Sequence, residues 1–247
     1  MDTLWGKPVA IDERVPAANV VFGSFMQLAG VPVIVRPTGV RIFCISDTHG
    51  ELPDIPDCDL LIIAGDITRG NQYGPRDGTD GYWWDWVRYE FARWAADVPA
   101  RKIVAIAGNH DTCLEIGAPQ VPAVEFLNGT GTEFEGMKIW GGPWSLPFGN
   151  LAFERTEAQM HEHLLQCPRD TDILLIHGPP YMCGDKVNRG PNVGSMALRR
   201  FIEERQLPLV CCGHIHEASG MYEMGQTVVI NAARGGYSFD MQVRKPE

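Results

Sequence analysis

The chain has 247 residues, of which 45% are hydrophobic and 21% charged, a composition that excludes a largely disordered protein. Its formal net charge of −10 argues against a surface that grips long nucleic acid by its phosphates. The sequence shows neither a secretory signal pattern nor an apolar run long enough to span a membrane, so we expect no membrane association. Seven cysteines without a repeated spacing are typical of reduced thiols and predict a cytoplasmic location.

Short apolar runs rich in branched residues dominate the chain after its first forty residues. Glycine and proline interrupt residues 1–40, which we interpret as an N-terminal extension or edge strands. The later runs are too continuous for half-exposed strands and too short for isolated helices, so they predict strands covered on both faces. They occupy residues 40–46, 60–64, 102–107, 172–176 and 207–212.

Helical patterns alternate with these runs. In residues 80–99, Trp84, Val87, Phe91 and Trp94 recur at three- and four-residue steps and predict a helix that ends before Pro99. A second helix is predicted after Ser195, a suitable N-cap residue. Residues 132–144 predict two strands and residues 227–233 another. The alternation indicates a layered α/β domain, and because no linker or repeat is evident, we expect one domain over residues 1–247.

Each of the five buried runs is followed by side chains that can bind metal ions. These side chains are Asp47 and His49, Asp66, Asn109 with His110 and Asp111, His177, and His214 with His216. Strand ends at one edge of an α/β sheet open into a common crevice, where ligands usually bind. Residues two apart in an extended chain project to the same side, so Asp47 with His49, and His214 with His216, can each present two ligands from one strand end. The glycines that precede the ligands, Gly65, Gly108 and Gly213, allow close backbone approach.

Two histidines lie outside these strand ends. His161 and His163 fall in a predicted surface helix, where residues two apart point in different directions. We therefore expect both side chains to be solvated.

The ordered blocks Asp-x-His, Gly-Asp, Gly-Asn-His-Asp, a lone His after a strand, and Gly-His-x-His resemble the calcineurin-like metallophosphoesterase superfamily over residues 41–217. Within it, "ISDTHG", "IHGPP" and "GHIHEASG" are most similar to the metallophosphoesterase-domain-containing proteins, a group near the class III cyclic-nucleotide phosphodiesterases. The resemblance implies a four-layer αββα sandwich of two mixed β-sheets flanked by helices.

The resemblance also implies a role for each block residue. One divalent ion would be held by Asp47, His49 and His216, and a second ion by Asn109, His177 and His214, with Asp66 bridging the two. Such a ligand set suits Mn, Fe, Zn or Co, and Mn is favoured for activity. His110 would face the leaving-group oxygen as general acid or phosphate ligand, and Asp111 would orient it through a ring nitrogen.

The implied function is a phosphodiesterase that hydrolyses small nucleotides, including cyclic ones, or similar phosphodiesters by attack of a hydroxide that bridges the ions. One alternative is a protein or small-molecule phosphomonoesterase, although Ala107 and Asp111 depart from the pattern of protein serine/threonine phosphatases. Another is a non-catalytic metal-binding scaffold for protein partners, which would be expected to lack a ligand, whereas none is missing. Substrate choice falls to loops 142–150 and 181–195 and to Arg69, a phosphate-binding candidate. Nothing in the sequence supports an oligomer.

Overall fold

A computed structural model of the chain describes residues 20–21, 39–70, 81–115, 117 and 120–241. Twelve strands lie within these residues. In chain order they are β1 Val20–Val21, β2 Val40–Ile45, β3 Cys58–Ala64, β4 Ala100–Ile106, β5 Val124–Phe126, β6 Thr130–Phe134, β7 Met137–Gly142, β8 Ile173–Ile176, β9 Leu209–Cys212, β10 Gly220–Met224, β11 Thr227–Asn231 and β12 Gly236–Met241.

The strands form two mixed sheets of six. The first has the order β1-β12-β2-β3-β4-β5, in which β2 to β5 run parallel and β12 and β1 pair antiparallel. The second has the order β10-β11-β9-β8-β7-β6, in which β11, β9, β8 and β7 run parallel. The parallel strands of each sheet therefore share one carboxyl edge.

The alternation of side chains along each strand divides the core into an inner and an outer part. On β2, Ile42 and Cys44 belong to a buried cluster that includes Ile139 and Leu175 from the second sheet. Phe43 and Ile45 belong to a second cluster that includes residues of the helices. Since both faces of the strand are buried, the prediction of doubly covered strands is confirmed.

Helices cover the outer faces of the two sheets, which gives the four layers of an αββα sandwich. A helical run comprises α1 Gly81–Trp86, a π-helical segment Val87–Phe91 and α2 Ala92–Asp97. It confirms the helix predicted over residues 80–99. The other helices are α3 Glu157–Leu164 and α4 Met196–Arg205.

Hydrogen bonds from side chains define the start of α3 and α4. Thr156 and Gln159 form a reciprocal capping box at α3. The Ser195 hydroxyl accepts a hydrogen bond from the Leu198 N–H at 3.1 Å, so the predicted N-cap is confirmed. Glu157 accepts hydrogen bonds from the Ser195 hydroxyl and from two N–H groups of the first turn of α4. This carboxylate joins the two helices.

The strands absent from the prediction are β5, β10 and β12. They are short or contain exposed or half-buried polar residues, so they lack the continuous apolar runs that predict strands. Of residues 1–40, the structure describes an edge strand, β1, which pairs with Asp240 and Met241 of β12; the rest of the predicted extension, 1–19 and 22–38, lies outside the described residues. None of the helices within the described ranges is long and apolar enough to cross a membrane.

Candidate metal centre

The predicted ligands lie at the carboxyl ends of parallel strands from both sheets. Asp47 follows β2, Asp66 follows β3 and Asn109 follows β4 in the first sheet. His177 follows β8, and His214 and His216 follow β9 in the second. The sandwich therefore brings the ends of five strands to one edge, the common position of a ligand crevice in α/β folds.

Asp47, His49 and His216 form the first cluster. Asp47 Oδ1 lies 3.0 Å from His216 Nε2 and 4.0 Å from His49 Nε2. The two histidine Nε2 atoms are 3.3 Å apart. Three atoms with lone pairs thus converge, as the ligands of a cation would.

The second cluster contains Asn109, His177 and His214. Asn109 Oδ1 lies 2.9 Å from both His177 Nε2 and His214 Nδ1. Asp66 Oδ2 lies 3.3 Å from His177 Nε2 and 3.9 Å from His49 Nε2 of the first cluster. Asp66 therefore stands between the clusters, in the position of a bridging ligand.

Hydrogen bonds to Asp47, Asp66 and His177 from the protein behind them turn one atom of each toward the crevice. Asp47 Oδ2 accepts from the Ser46 hydroxyl at 2.6 Å and from the His214 N–H at 2.9 Å. Asp66 Oδ1 accepts from the His110 N–H at 2.8 Å. His177 Nδ1 lies 2.9 Å from the Ala64 carbonyl oxygen, which fixes the proton on Nδ1 and leaves the lone pair on Nε2.

The donor set fits two divalent transition-metal ions. It combines imidazole nitrogens with carboxylate and amide oxygens and contains no thiolate, which suits Mn, Fe, Zn or Co. Asp47, Asp66 and His177 are buried, and burying such polar groups is costly unless they are paired or coordinate an ion. The clustering of the seven residues supports their predicted roles, which remain a prediction.

The backbone reaches this arrangement through left-handed turns, not through extended chain. The φ angles of Asp47, His49, Asp66 and His214 are 57°, 48°, 52° and 70°. This differs from the expectation that residues two apart leave an extended strand on one side, and His214 and His216 accordingly serve different clusters. Backbone strain of this kind concentrates at functional sites and costs on the order of 1–3 kcal/mol per residue.

The predicted close approach at the glycines is confirmed. A Cβ at Gly65 would lie 2.5 Å from His177 Nδ1, and one at Gly213 would lie 2.2 Å from Asp47 Oδ2. Both separations are below any real Cβ contact. These glycines therefore leave room for the ligand side chains.

The buried charged groups of the centre shift one another's pKa values. Burial alone would raise the pKa of Asp66, but the neighbouring His177 lowers it below its usual range. Burial opposes protonation of His177, yet Asp66 and Asp47 together raise its pKa to about 9. Burial and the His177 charge lower the pKa of His214 to about 4. These shifts show that the two buried carboxylates favour positive charge at this edge of the sheets.

The environment of Asp111 corrects its predicted role. Its carboxylate accepts hydrogen bonds from the N–H groups of Ile67, Thr68 and Gly108 and from the Thr68 hydroxyl. His110 Nδ1 instead lies 3.3 Å from the carbonyl oxygen of Arg69. The loop donors fill the Asp111 oxygens, so Asp111 joins the loops after β3 and β4 and does not orient the His110 ring through a ring nitrogen.

His163 is also placed differently from the prediction. Its ring stacks on Trp144 at 4.2 Å between centroids, and Arg155 Nε donates to its Nε2 at 3.3 Å. His161 is exposed as expected, whereas His163 is half-buried. The helical spacing predicts the direction of each side chain, but it contains no information about the loop that covers one face of α3.

The site contains residues that the sequence patterns did not single out. Ser46 is buried and holds Asp47, and Trp83 lies against Gly50, next to His49. Arg69, a predicted phosphate-binding candidate, donates from Nε to the His49 carbonyl oxygen at 2.8 Å. The position of Ser46 directly before the first ligand was the available signal for its role.

Two mixed sheets in an αββα sandwich, with Asp, Asn and His clusters at their shared edge, define a metallophosphoesterase type of fold. The model of the calcineurin-like phosphoesterase family matches residues 40–218, and the chain belongs to this family. The resemblance seen in the five sequence blocks is thereby confirmed.

Three proteins illustrate what this chain is similar to in sequence. It is 31% identical over 228 residues to the UPF0046 protein C25E10.12 of Caenorhabditis elegans, covering 78% of this chain and 75% of that protein. It is 28% identical over 231 residues to human metallophosphoesterase domain-containing protein 1, covering 80% and 67%. A stretch of 200 residues is 34% identical to "Probable rhamnogalacturonate lyase C" of Emericella nidulans, which is 73% of this chain and 17% of that much longer protein.

A solved structure shares the fold. The protein TT1561 of Thermus thermophilus matches with a TM-score of 0.53 and 16% sequence identity, covering 84% of this chain and all of that chain. At this identity, the likeness concerns the fold.

Proposed function

We propose that the chain is a binuclear metal-dependent phosphodiesterase that hydrolyses small nucleotides, including cyclic ones, or similar phosphodiesters. The observation that supports this proposal most directly is the position of Asp66 between two clusters of ligand atoms. A pair of ions about 3.5–4 Å apart is the arrangement used for in-line displacement at phosphorus.

Seven residues would hold the two ions. We assign Asp47, His49 and His216 to one ion, Asn109, His177 and His214 to the other, and Asp66 to both. When bound, two divalent ions neutralise phosphate charge and lower the pKa of water toward neutrality. Mn is the ion that we favour for activity.

His110 is the block histidine outside the ligand set, and we assign it to the leaving group. Its main-chain N–H is fixed on Asp66, and its ring packs edge-on against the His49 ring at 4.8 Å between centroids. His110 Nδ1 lies 3.3 Å from the Arg69 carbonyl oxygen, a contact that orients the ring. A half-buried ring beside the metal ligands suits proton donation to a departing alkoxide.

The net charge of the chain is more compatible with a diester substrate than with a monoester. A phosphodiester carries one negative charge and a phosphomonoester up to two, and the chain has a net charge of −10. Among the described residues, Arg69 is the exposed cation held against the His49 loop. Fewer cations are needed to accept the singly charged diester.

The cysteines and the net charge support a proposal for the location and the partners of the chain. The seven cysteines are free and buried, and we propose a cytoplasmic enzyme whose partner is a small phosphoester, not long nucleic acid or a membrane.

A rate comparison tests the proposed function. The Mn-loaded protein is assayed with bis(p-nitrophenyl) phosphate, p-nitrophenyl phosphate, and 2′,3′- and 3′,5′-cyclic nucleotides, with Asp66→Asn as the inactive control. We expect faster turnover of the diesters. A clear preference for the monoester would contradict the diesterase assignment, and activity that survives in Asp66→Asn would contradict the two-metal assignment.

A further inference from the structure

An aromatic pair on α1 borders the turn that carries His49. Gly50 follows His49 directly, and a Cβ at Gly50 would lie 2.9 Å from the Trp83 ring. The Gly50 N–H donates to the Ile67 carbonyl oxygen at 2.7 Å, which holds this turn against the loop after β3. Trp83 thus lies against the backbone of the metal centre itself.

Tyr82 extends this aromatic surface into solvent. Its ring meets the Trp83 ring edge-on at 5.1 Å between centroids, and 70% of the residue is exposed. Trp83 packs in turn against Trp86 at 5.4 Å. The inner rings hold Trp83 in place, so the pair has a fixed base and an open outer ring. We call Tyr82 and Trp83 the aromatic shelf.

Helix α1, which carries the aromatic shelf, contacts two turns that follow histidines of the centre. Helix α1 packs against the 3₁₀ turn Thr112–Leu114, which follows His110 and Asp111 in the chain. Helix α1 is therefore flanked by the turn after His49 and by the turn after His110. The rings of these two histidines are 4.8 Å apart, so the helix lies beside the part of the centre that holds both rings.

We propose that the aromatic shelf binds the planar base or aryl group of the phosphoester and makes the chain selective for substrates that carry one. This inference rests on the proposed function. Stacking on aromatic side chains suits any base, because every base has a π face, and it needs no base-specific hydrogen bonds. Phosphate recognition at the metal centre and base recognition on the shelf are then separate contributions to affinity.

Binding of two matched ligands separates these contributions. Adenosine 5′-monophosphate and ribose 5-phosphate share the sugar phosphate and differ by the base. Their affinities for the full Mn-loaded chain are measured by calorimetry for the wild type, Tyr82→Ala and Tyr89→Ala. Tyr89 is a suitable control because it is 58% exposed in the same helical run and contacts Arg88.

We expect a loss of affinity for one ligand, adenosine 5′-monophosphate, in one variant, Tyr82→Ala. Tyr82→Ala weakens adenosine monophosphate binding about 5-fold or more, the effect of losing one base–aromatic stack, and leaves ribose 5-phosphate unchanged. Tyr89→Ala changes neither. Trp83→Phe keeps a ring against Gly50 and removes a fluorophore, so we expect adenosine monophosphate to quench tryptophan fluorescence less in this variant. Thermal melting verifies that each variant is folded.

The outcomes separate failure of the shelf from failure of the proposed function. Equal affinity of the wild type for both ligands, or an unchanged preference in Tyr82→Ala, overturns the shelf even if diester hydrolysis is normal. A wild-type chain that binds neither ligand and hydrolyses no diester contradicts the proposed function, and the shelf with it.

Discussion

Replacing Ser46 by alanine removes a hydrogen bond that orients one predicted metal ligand, Asp47. Ser46 is fully buried, and its hydroxyl donates to Asp47 Oδ2 at 2.6 Å. Without it, that oxygen keeps the His214 N–H at 2.9 Å, so the carboxylate stays in place but can rotate. A Cβ at Gly213 would lie 2.0 Å from Ser46 Oγ, which shows how closely this hydroxyl is enclosed.

The size of the effect follows from the kind of bond that is lost. A hydrogen bond to a charged group contributes about 1.5–3 kcal/mol, which corresponds to roughly 10- to 150-fold in a binding constant. Loss of a group that orients a metal ligand lowers metal affinity about 10- to 100-fold. The two ranges agree. We therefore expect Ser46→Ala to lower the affinity of the chain for one of the two ions about 10- to 100-fold.

Competition with a chromophoric chelator measures both metal affinities. The matched control is Ser145→Ala, because the Ser145 hydroxyl is also buried but has no hydrogen-bond partner among the described residues. We expect wild-type metal affinity for this control. If Ser46→Ala binds both ions as tightly as Ser145→Ala, the reasoning about Asp47 is wrong.

Three further predictions concern the site. His110→Asn keeps both ions but lowers turnover of diesters with poor leaving groups about 10²- to 10⁴-fold; a full rate on such an ester would show that His110 is not the proton donor. Arg69→Ala raises KM for the diester about 10-fold, the size of a lost charged hydrogen bond, with little change in metal content; an unchanged KM removes Arg69 from phosphate binding. Removal of Mn by a chelator lowers the free energy of unfolding by about 4 kcal/mol for each ion that was bound at a Mn concentration 1,000 times its Kd; identical urea midpoints with and without Mn would show that the folded chain does not bind the ions.

Much of the fold can be predicted from the sequence because buried parallel strands have a recognisable residue pattern. Doubly covered strands need continuous apolar runs, and the five runs predicted strands that the structure contains. Ligands that follow such runs must meet at the carboxyl edge, so the grouping of Asp47, Asp66 and His177 could be inferred before their distances were known.

The remaining features depend on contacts between distant segments. Asp111 lies next to His110 in sequence, but its oxygens are taken by the loop after β3, a pairing that no local pattern records. The helical position of His163 predicts a solvated side chain, but the loop that contains Trp144 covers its ring. Trp83 lies in the predicted helix but outside its apolar stripe, and its contact with Gly50 depends on how α1 packs against the turn after β2.

The metal content of the purified chain tests the central assignment most directly. After the chain is dialysed against excess Mn and then freed of unbound ions, elemental analysis gives the number of ions per chain. We predict two ions for the wild type and fewer than two for Asp66→Asn, because Asp66 lies between the two clusters. One ion or none in the wild type would contradict the two-metal centre and favour the non-catalytic scaffold.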